Sequence, residues 1–196
     1  MRKYHLLAAA HQFLSEDSLR DLVERFWTAR ETEPGDQYQT EHWTRGIELL
    51  AQQLCDAPLF EKARLAAWPE QSAATCQDIA RAHLEAGDAT AALSWMRRVP
   101  DGDTFRADKG DRLLLKIYGQ LGNNDGMADS VWRIFHRLRS KDALATLLAV
   151  IGEDKRDQVI AGEVQGSAAE SPWTQGEFLV KISDLKTRQA GLALPR

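Results

Sequence analysis

Chemistry in this chain would have to come from five histidines, two cysteines and 29 acidic residues. A metal centre or an activated nucleophile needs such groups at spacings that share a face, and here they are scattered. His5 and His11 lie six positions apart, about 600° of helical rotation, so they point to different sides. His42, His83 and His136 have no comparable neighbour. Cys55 and Cys76 are twenty-one positions apart without a CxxC or Cys/His pattern, and both sit in apolar helical text. They read as two buried, reduced thiols. The sequence contains no Gly-rich phosphate loop, nucleophile elbow or HExxH. Asn123-Asn124-Asp125-Gly126 gathers side-chain oxygens, but not at calcium-loop spacing, and fits a helix–helix turn. The expectation is a chain that is not an enzyme and carries no metal or cofactor.

Charge narrows the partners. The net charge is −4 over 196 residues, which argues against a general nucleic-acid binder. Its distribution is uneven. Residues 97–141 hold 10 Lys/Arg against 6 Asp/Glu, whereas residues 1–70 hold 8 against 12. One basic stretch therefore sits inside an acidic chain. The opening Met-Arg-Lys-Tyr-His is followed by an apolar run, Leu6–Ala10, too short for a signal-peptide core, and no later segment approaches a membrane span. A soluble, cytoplasmic protein is the simplest expectation.

The elements that must position any site are helices. Leu19, Leu22, Val23, Phe26 and Trp27 recur at i, i+3, i+4, i+7 and i+8, with Ser15 as the N-cap. A helix is expected over 3–14 before it, and a loop over Glu31–Thr40 after it. Trp43–Cys55 reads as the next helix. Another opens at Pro58 and closes at Pro69, and Ser72 caps one running to Ala86. Helices follow over Ala89–Val99, from Asp103 to about Leu121, over Asp125–Leu138, from Ser140 to Ile151, and over Lys155–Val164. Gln165–Pro172 reads as a loop, and Phe178, Leu179, Ile182 and Leu185 stripe a final helix. Six prolines and 13 glycines are too few for a turn-rich β-sandwich, and no strand is predicted.

These hairpins repeat. At an offset of 35 residues, Ile79 falls on Leu114, His83 on Tyr118 and Gly87 on Gly122. With one extra residue in the second turn, Ala92 meets Ala128 and Met96 meets Trp132. Small residues at Ala92 and Ala128 let paired helices approach, and a bulky residue one turn later fills the gap. Trp27, Trp68, Trp95 and Trp132 all fall near the ends or inner faces of second helices, where they act as spacers. Trp43 and Trp173 begin helices. The pattern of Cys76, Ile79, Ala80, His83, Ala92 and Met96, then Asp111, Leu114, Leu115, Tyr118, Ala128 and Trp132, resembles the tetratricopeptide repeat. Leu115 stands where that repeat has a small residue, and Asp111 where it has a large apolar one. The stretch from Asp78 to Leu144, with LEAGD and LLLKIYGQLG, is similar to an uncharacterised bacterial helical-repeat family, some of whose members carry a SWIM zinc finger. The cysteines of such a finger are not in this sequence.

The resemblance implies an all-α, right-handed superhelix of antiparallel hairpins, a tetratricopeptide-like solenoid forming one domain over 1–196. Its parts would be an N-terminal hairpin and loop (1–40), diverged repeats (41–165, clearest at 72–140), and a loop with a C-terminal helix (166–196). In such arrays the first helix of each hairpin lines a concave groove. Carried over by the offset, the groove positions are Gln77, Arg81 and Leu84, then Arg112, Lys116 and Gly119. Arg81, Arg112 and Lys116 would form a cationic surface suited to a carboxylate. A second basic cluster, Arg133, Arg137, Arg139 and Lys141, complements a helix C-terminus. The expected function is a protein-interaction module that binds an acidic or extended peptide, away from any membrane. The alternatives are nucleic-acid binding through 97–141, or a structural piece of a larger bacterial assembly.

Overall fold

The computed structural model describes residues 3–32, 37–100 and 102–170, with Gly176 and Val180. Among them the chain forms ten α-helices and two short 3-10 turns, with no strand. The helices are α1 (Lys3–Ala8), α2 (Glu16–Thr32), α3 (Gln37–Gln53), α4 (Ala57–Ala67), α5 (Ala73–Glu85), α6 (Ala89–Met96), α7 (Ala107–Leu121), α8 (Asn124–Leu138), α9 (Lys141–Ile151) and α10 (Arg156–Glu170). No described helix is long and apolar enough to cross a membrane.

The caps explain where most helices begin. Asp56, Ser72, Asp88, Asn123 and Ser140 each accept the backbone N–H three residues on. Each satisfies a donor that the first turn cannot pair internally. Gly87 (φ 87°) and Gly122 (φ 66°) turn the chain between paired helices through left-handed backbone.

Several boundaries differ from the periodicity. The expected helix over 3–14 stops at Ala8 and continues as a 3-10 turn, Ala10–Gln12. The polar stretch Glu31–Thr40 is helical at both ends, since α2 runs to Thr32 and α3 starts at Gln37, six residues before Trp43. Thr28 and Thr32 return their hydroxyls to carbonyls four residues back. α6 ends at Met96 rather than Val99. α10 carries on through the small residues expected as a loop, to Glu170. Trp173 and the stripe Phe178, Leu179, Ile182 and Leu185 lie outside the described residues.

The chain divides into two compact units, residues 1–113 and 114–196, with the boundary inside α7. In the first, α2 to α6 pack consecutively and α1 lies on α3. Leu19, Val23, Ile47, Leu50 and Ala63 form one apolar cluster. Gly46 lets α2 close on α3, because a Cβ there would stand 2.6 Å from the Phe26 ring. Polar pairs cross-link the same helices. Glu48 of α3 is wholly buried, 2.9 Å from both Arg45 and Arg64. Arg64 of α4 reaches Asp78 of α5 at 3.4 Å, and Arg106, just ahead of α7, reaches Asp78 at 3.2 Å. Glu61 of α4 accepts from His83 of α5 (2.8 Å) and from the Trp95 indole of α6 (3.0 Å). His83 is thus a packed, hydrogen-bonded core residue.

In the second unit, Val131, Ile134 and Phe135 of α8 pack on Leu144, Leu147 and Leu148 of α9, with Val159 of α10 beside them. The Tyr118 ring of α7 lies on Gly126 of α8, where a Cβ would come within 2.7 Å.

Burial holds the Glu48 carboxyl above its ordinary range, because lost hydration outweighs the attraction of Arg64 and the hydrogen bond from Arg45. Its folded form therefore favours the proton. That contribution is complete below the unfolded value, about 4.3, and is lost as pH rises through the folded one. Glu48→Gln, permanently neutral, keeps it. Urea melts should show the variant gaining stability relative to the native chain between about pH 4 and pH 7. A difference that stays flat would show that Arg45 and Arg64 compensate the charge fully.

Candidate functional site

The groove positions expected on α5 and α7 divide by burial. Gln77 and Leu84 are buried, at 3% and 7% exposure, so the expectation that they line an open groove is corrected. Nine of the thirteen residues of α5 are buried, which makes it a central helix with a narrow solvent stripe. Gly110 of α7 sits over Gln77, whose amide nitrogen lies 3.0 Å from the place a Cβ would take. Arg81 remains exposed on the α5 stripe, and Arg112, Lys116 and Gly119 are exposed on α7. Arg112 is paired with Asp108, one turn earlier, at 3.1 Å.

The thiols also divide. Cys76 is buried, and burial raises its pKa. Cys55 is exposed, against the expectation of two buried thiols. It occupies left-handed backbone (φ 51°) in the turn between α3 and α4, which takes it off the apolar face of α3.

An opening lies in the second unit, between α8 and α10. It is a groove of about 780 Å³. Trp132, Ile151 and Val159 provide its apolar floor, and His136, Lys155 and Glu163 its charged lining. Trp132 is half-buried, with its ring 5.2 Å from that of His136. Glu163, held at 11% side-chain exposure, pairs with His136 at 2.8 Å and with Arg139 at 3.5 Å. Arg139 reaches it from left-handed backbone (φ 41°) at the end of α8. At Gly162 a Cβ would meet no atom within 4 Å, so the α10 wall is open there.

Among the described residues, no hydroxyl or thiol lines this groove. Among the described residues, no three His, Cys, Asp or Glu side chains cluster to hold a metal. An aromatic and aliphatic floor between two helices, edged by charge, is the geometry that holds an amphipathic segment. Sequence reasoning missed it because Ala128 and Trp132 read there as packing positions of a repeat. The signal was present as the pairing of a small residue with a tryptophan, but whether a further helix covers that pair is a tertiary property.

Compared with protein-family models, with curated proteins and with solved structures, the chain matches none of them.

The polar wall of the groove turns on Glu163, which is mostly buried and meets both His136 and Arg139, whereas His136 is half exposed. Glu163→Ala should cost roughly 1–3 kcal/mol in a urea melt, since it removes a buried hydrogen-bonding charge. His136→Ala should cost less than about 1 kcal/mol. The reverse order would mean that the imidazole, not the carboxylate, organises this wall.

Proposed function

We propose that the chain is a non-enzymatic protein-interaction module, a tetratricopeptide-like right-handed array of hairpins, that receives a peptide segment of a protein partner. A reducing, cytoplasmic setting suits its two unpaired thiols. The observation that carries this reading is the α8–α10 groove, with a half-buried tryptophan on an apolar floor. Exposed Lys155 at its edge favours a segment with a carboxylate beside its apolar stripe. The partner chemistry is the acidic peptide expected from the sequence, seated on different helices.

Arg81 of α5 and Lys116 of α7 are each exposed, whereas Arg112 is held by Asp108. The nucleic-acid reading of 97–141 is weakened by internal pairing. Arg106 binds Asp78, Arg112 binds Asp108, Arg133 donates to Ser130 and Arg139 binds Glu163.

Ala128 is half-buried on the groove wall, so Ala128→Glu places a carboxylate in the groove while leaving the α8 core untouched. In pull-downs from the native host, this variant should lose partner capture at least tenfold, with an unchanged helical circular dichroism spectrum. Loss of capture instead on changing Arg81, Arg112 and Lys116 together to Glu would move the site to α5 and α7. Capture of polynucleotide that falls steeply with salt would favour the nucleic-acid reading.

A further inference from the structure

We propose that the chain binds a small planar aromatic carboxylate in a pocket of the first unit, walled by α1, α2 and α3. The site shares no residue with the α8–α10 groove.

The pocket encloses about 260 Å³. Tyr4 and Leu6 of α1, Phe26 of α2, and His42 and Trp43 of α3 line it. Sites for drug-sized ligands begin at roughly 300 Å³, so this one suits a ligand of one or two rings. Four aromatic side chains in so small a lining select a flat molecule. Their own rings are tilted on one another, Tyr4 on His42 at 5.1 Å and Phe26 on Trp43 at 5.5 Å, with His42 edge-on to Trp43 at 5.5 Å. Aromatic rings favour such contacts over face-to-face stacking, and an added ring continues the pattern. Gly46 of α3 belongs to the same lining. A Cβ there would stand 2.6 Å from the Phe26 ring and 3.5 Å from Leu7, so a side chain at 46 would displace the ring that walls the pocket.

Two features of the lining point to a ligand. The Trp43 indole N–H is sealed from water and has no hydrogen-bond acceptor among the described residues. A buried donor left unpaired is costly, and native interiors rarely keep one. Leu6 is 81% exposed, an apolar surface that a ring in the pocket would cover.

The partner of an indole N–H is an acceptor, and the rest of the lining says which. The Tyr4 hydroxyl is hydrogen-bonded to Nδ1 of His42. A phenol is the stronger donor of the two and an imidazole nitrogen the stronger acceptor, which places the imidazole hydrogen on Nε2. His42 thus brings a second N–H to the lining, on the ring beside that of Trp43. Among the described residues, no Asp or Glu lines the pocket. Two N–H donors without a carboxylate of the chain's own match a ligand carboxylate, whose two oxygens accept from both.

Titration of the full chain with 1-naphthoate tests this. The Trp43 indole N–H signal, assigned by its loss in Trp43→Phe, should move downfield and saturate, with half-saturation below about 1 mM. By calorimetry Trp43→Phe, which keeps a ring and removes the donor, should bind naphthoate about tenfold more weakly. Leu6→Glu, at an exposed position, should weaken binding at least about fivefold by setting a like charge at the mouth. Both variants should keep the native circular dichroism spectrum. 1-(Aminomethyl)naphthalene, with a cation in place of the oxygens, should bind at least about tenfold more weakly than naphthoate. A Trp43 signal that stays in place at millimolar naphthoate overturns the proposal. So does tighter binding of the amine, which would make the rings a cage for cations, or an affinity unchanged in either variant. A larger shift at the Trp132 indole would move the aromatic ligand to the α8–α10 groove and overturn it as well.

Discussion

A carboxylate sealed from water must be paired, and the burial of Glu48 constrains much of the first unit. The carboxylate has no exposure, yet it lies between Arg45 and Arg64 at 2.9 Å each. Arg64 is shared onward with Asp78, and Asp78 with Arg106. A sequence of charges therefore fixes α3 against α4, α4 against α5, and α5 against the start of α7. Such pairs contribute little net stability, because desolvation consumes most of the attraction. Their effect is on register. A slip of one helical position would leave a buried charge without its partner, at a cost of several kcal/mol. Glu61 repeats the device one layer on, by accepting from both His83 and Trp95.

The second unit solves the same problem with shape. Its core is aliphatic and aromatic, from Val131 to Val159. Close approach is set by the absence of a side chain at Gly126, under the Tyr118 ring. Shape complementarity defines one neighbour well but gives no reason for the next helix to close over what remains. The polar pairs of this unit accordingly sit on the groove wall, where Glu163 ties α10 to His136 and Arg139 of α8. The unit is stiff along that wall and open beside it.

Local chemistry was legible in the sequence, and burial was not. Ser72 and Ser140 cap where they were expected, Gly87 and Gly122 turn where they were expected, and His83 is a bonded core residue. Each depends on a few adjacent residues. Gln77 and Leu84 went the other way, because exposure depends on how many helices surround α5, which no window of that helix contains. Cys55 was misplaced by a single left-handed residue. The stretch Gln165–Glu170 was read as a loop from its small residues, although alanine and serine are compatible with a helix that already has momentum from the preceding turns. The α8–α10 groove was hidden for the reason that hid Gln77, with the opposite sign. There a packing position lacked its cover.

That uncovered position carries the functional argument. A small residue followed one turn later by a tryptophan is a device for admitting a helix, whatever chain the helix belongs to. When the next hairpin of an array supplies it, the pair is core. When the described helices leave it open, the same floor keeps its affinity for an apolar stripe, about 25 cal/mol for each Å² it removes from water. Trp132, half-buried over Val159, is in that condition. In the function proposed above, repeat packing and partner binding would be one interaction, divided by whether the occupant is covalently next in line. In that proposal specificity falls to the charges beside the floor, Lys155 and Glu163, which would select the flank that an incoming helix presents.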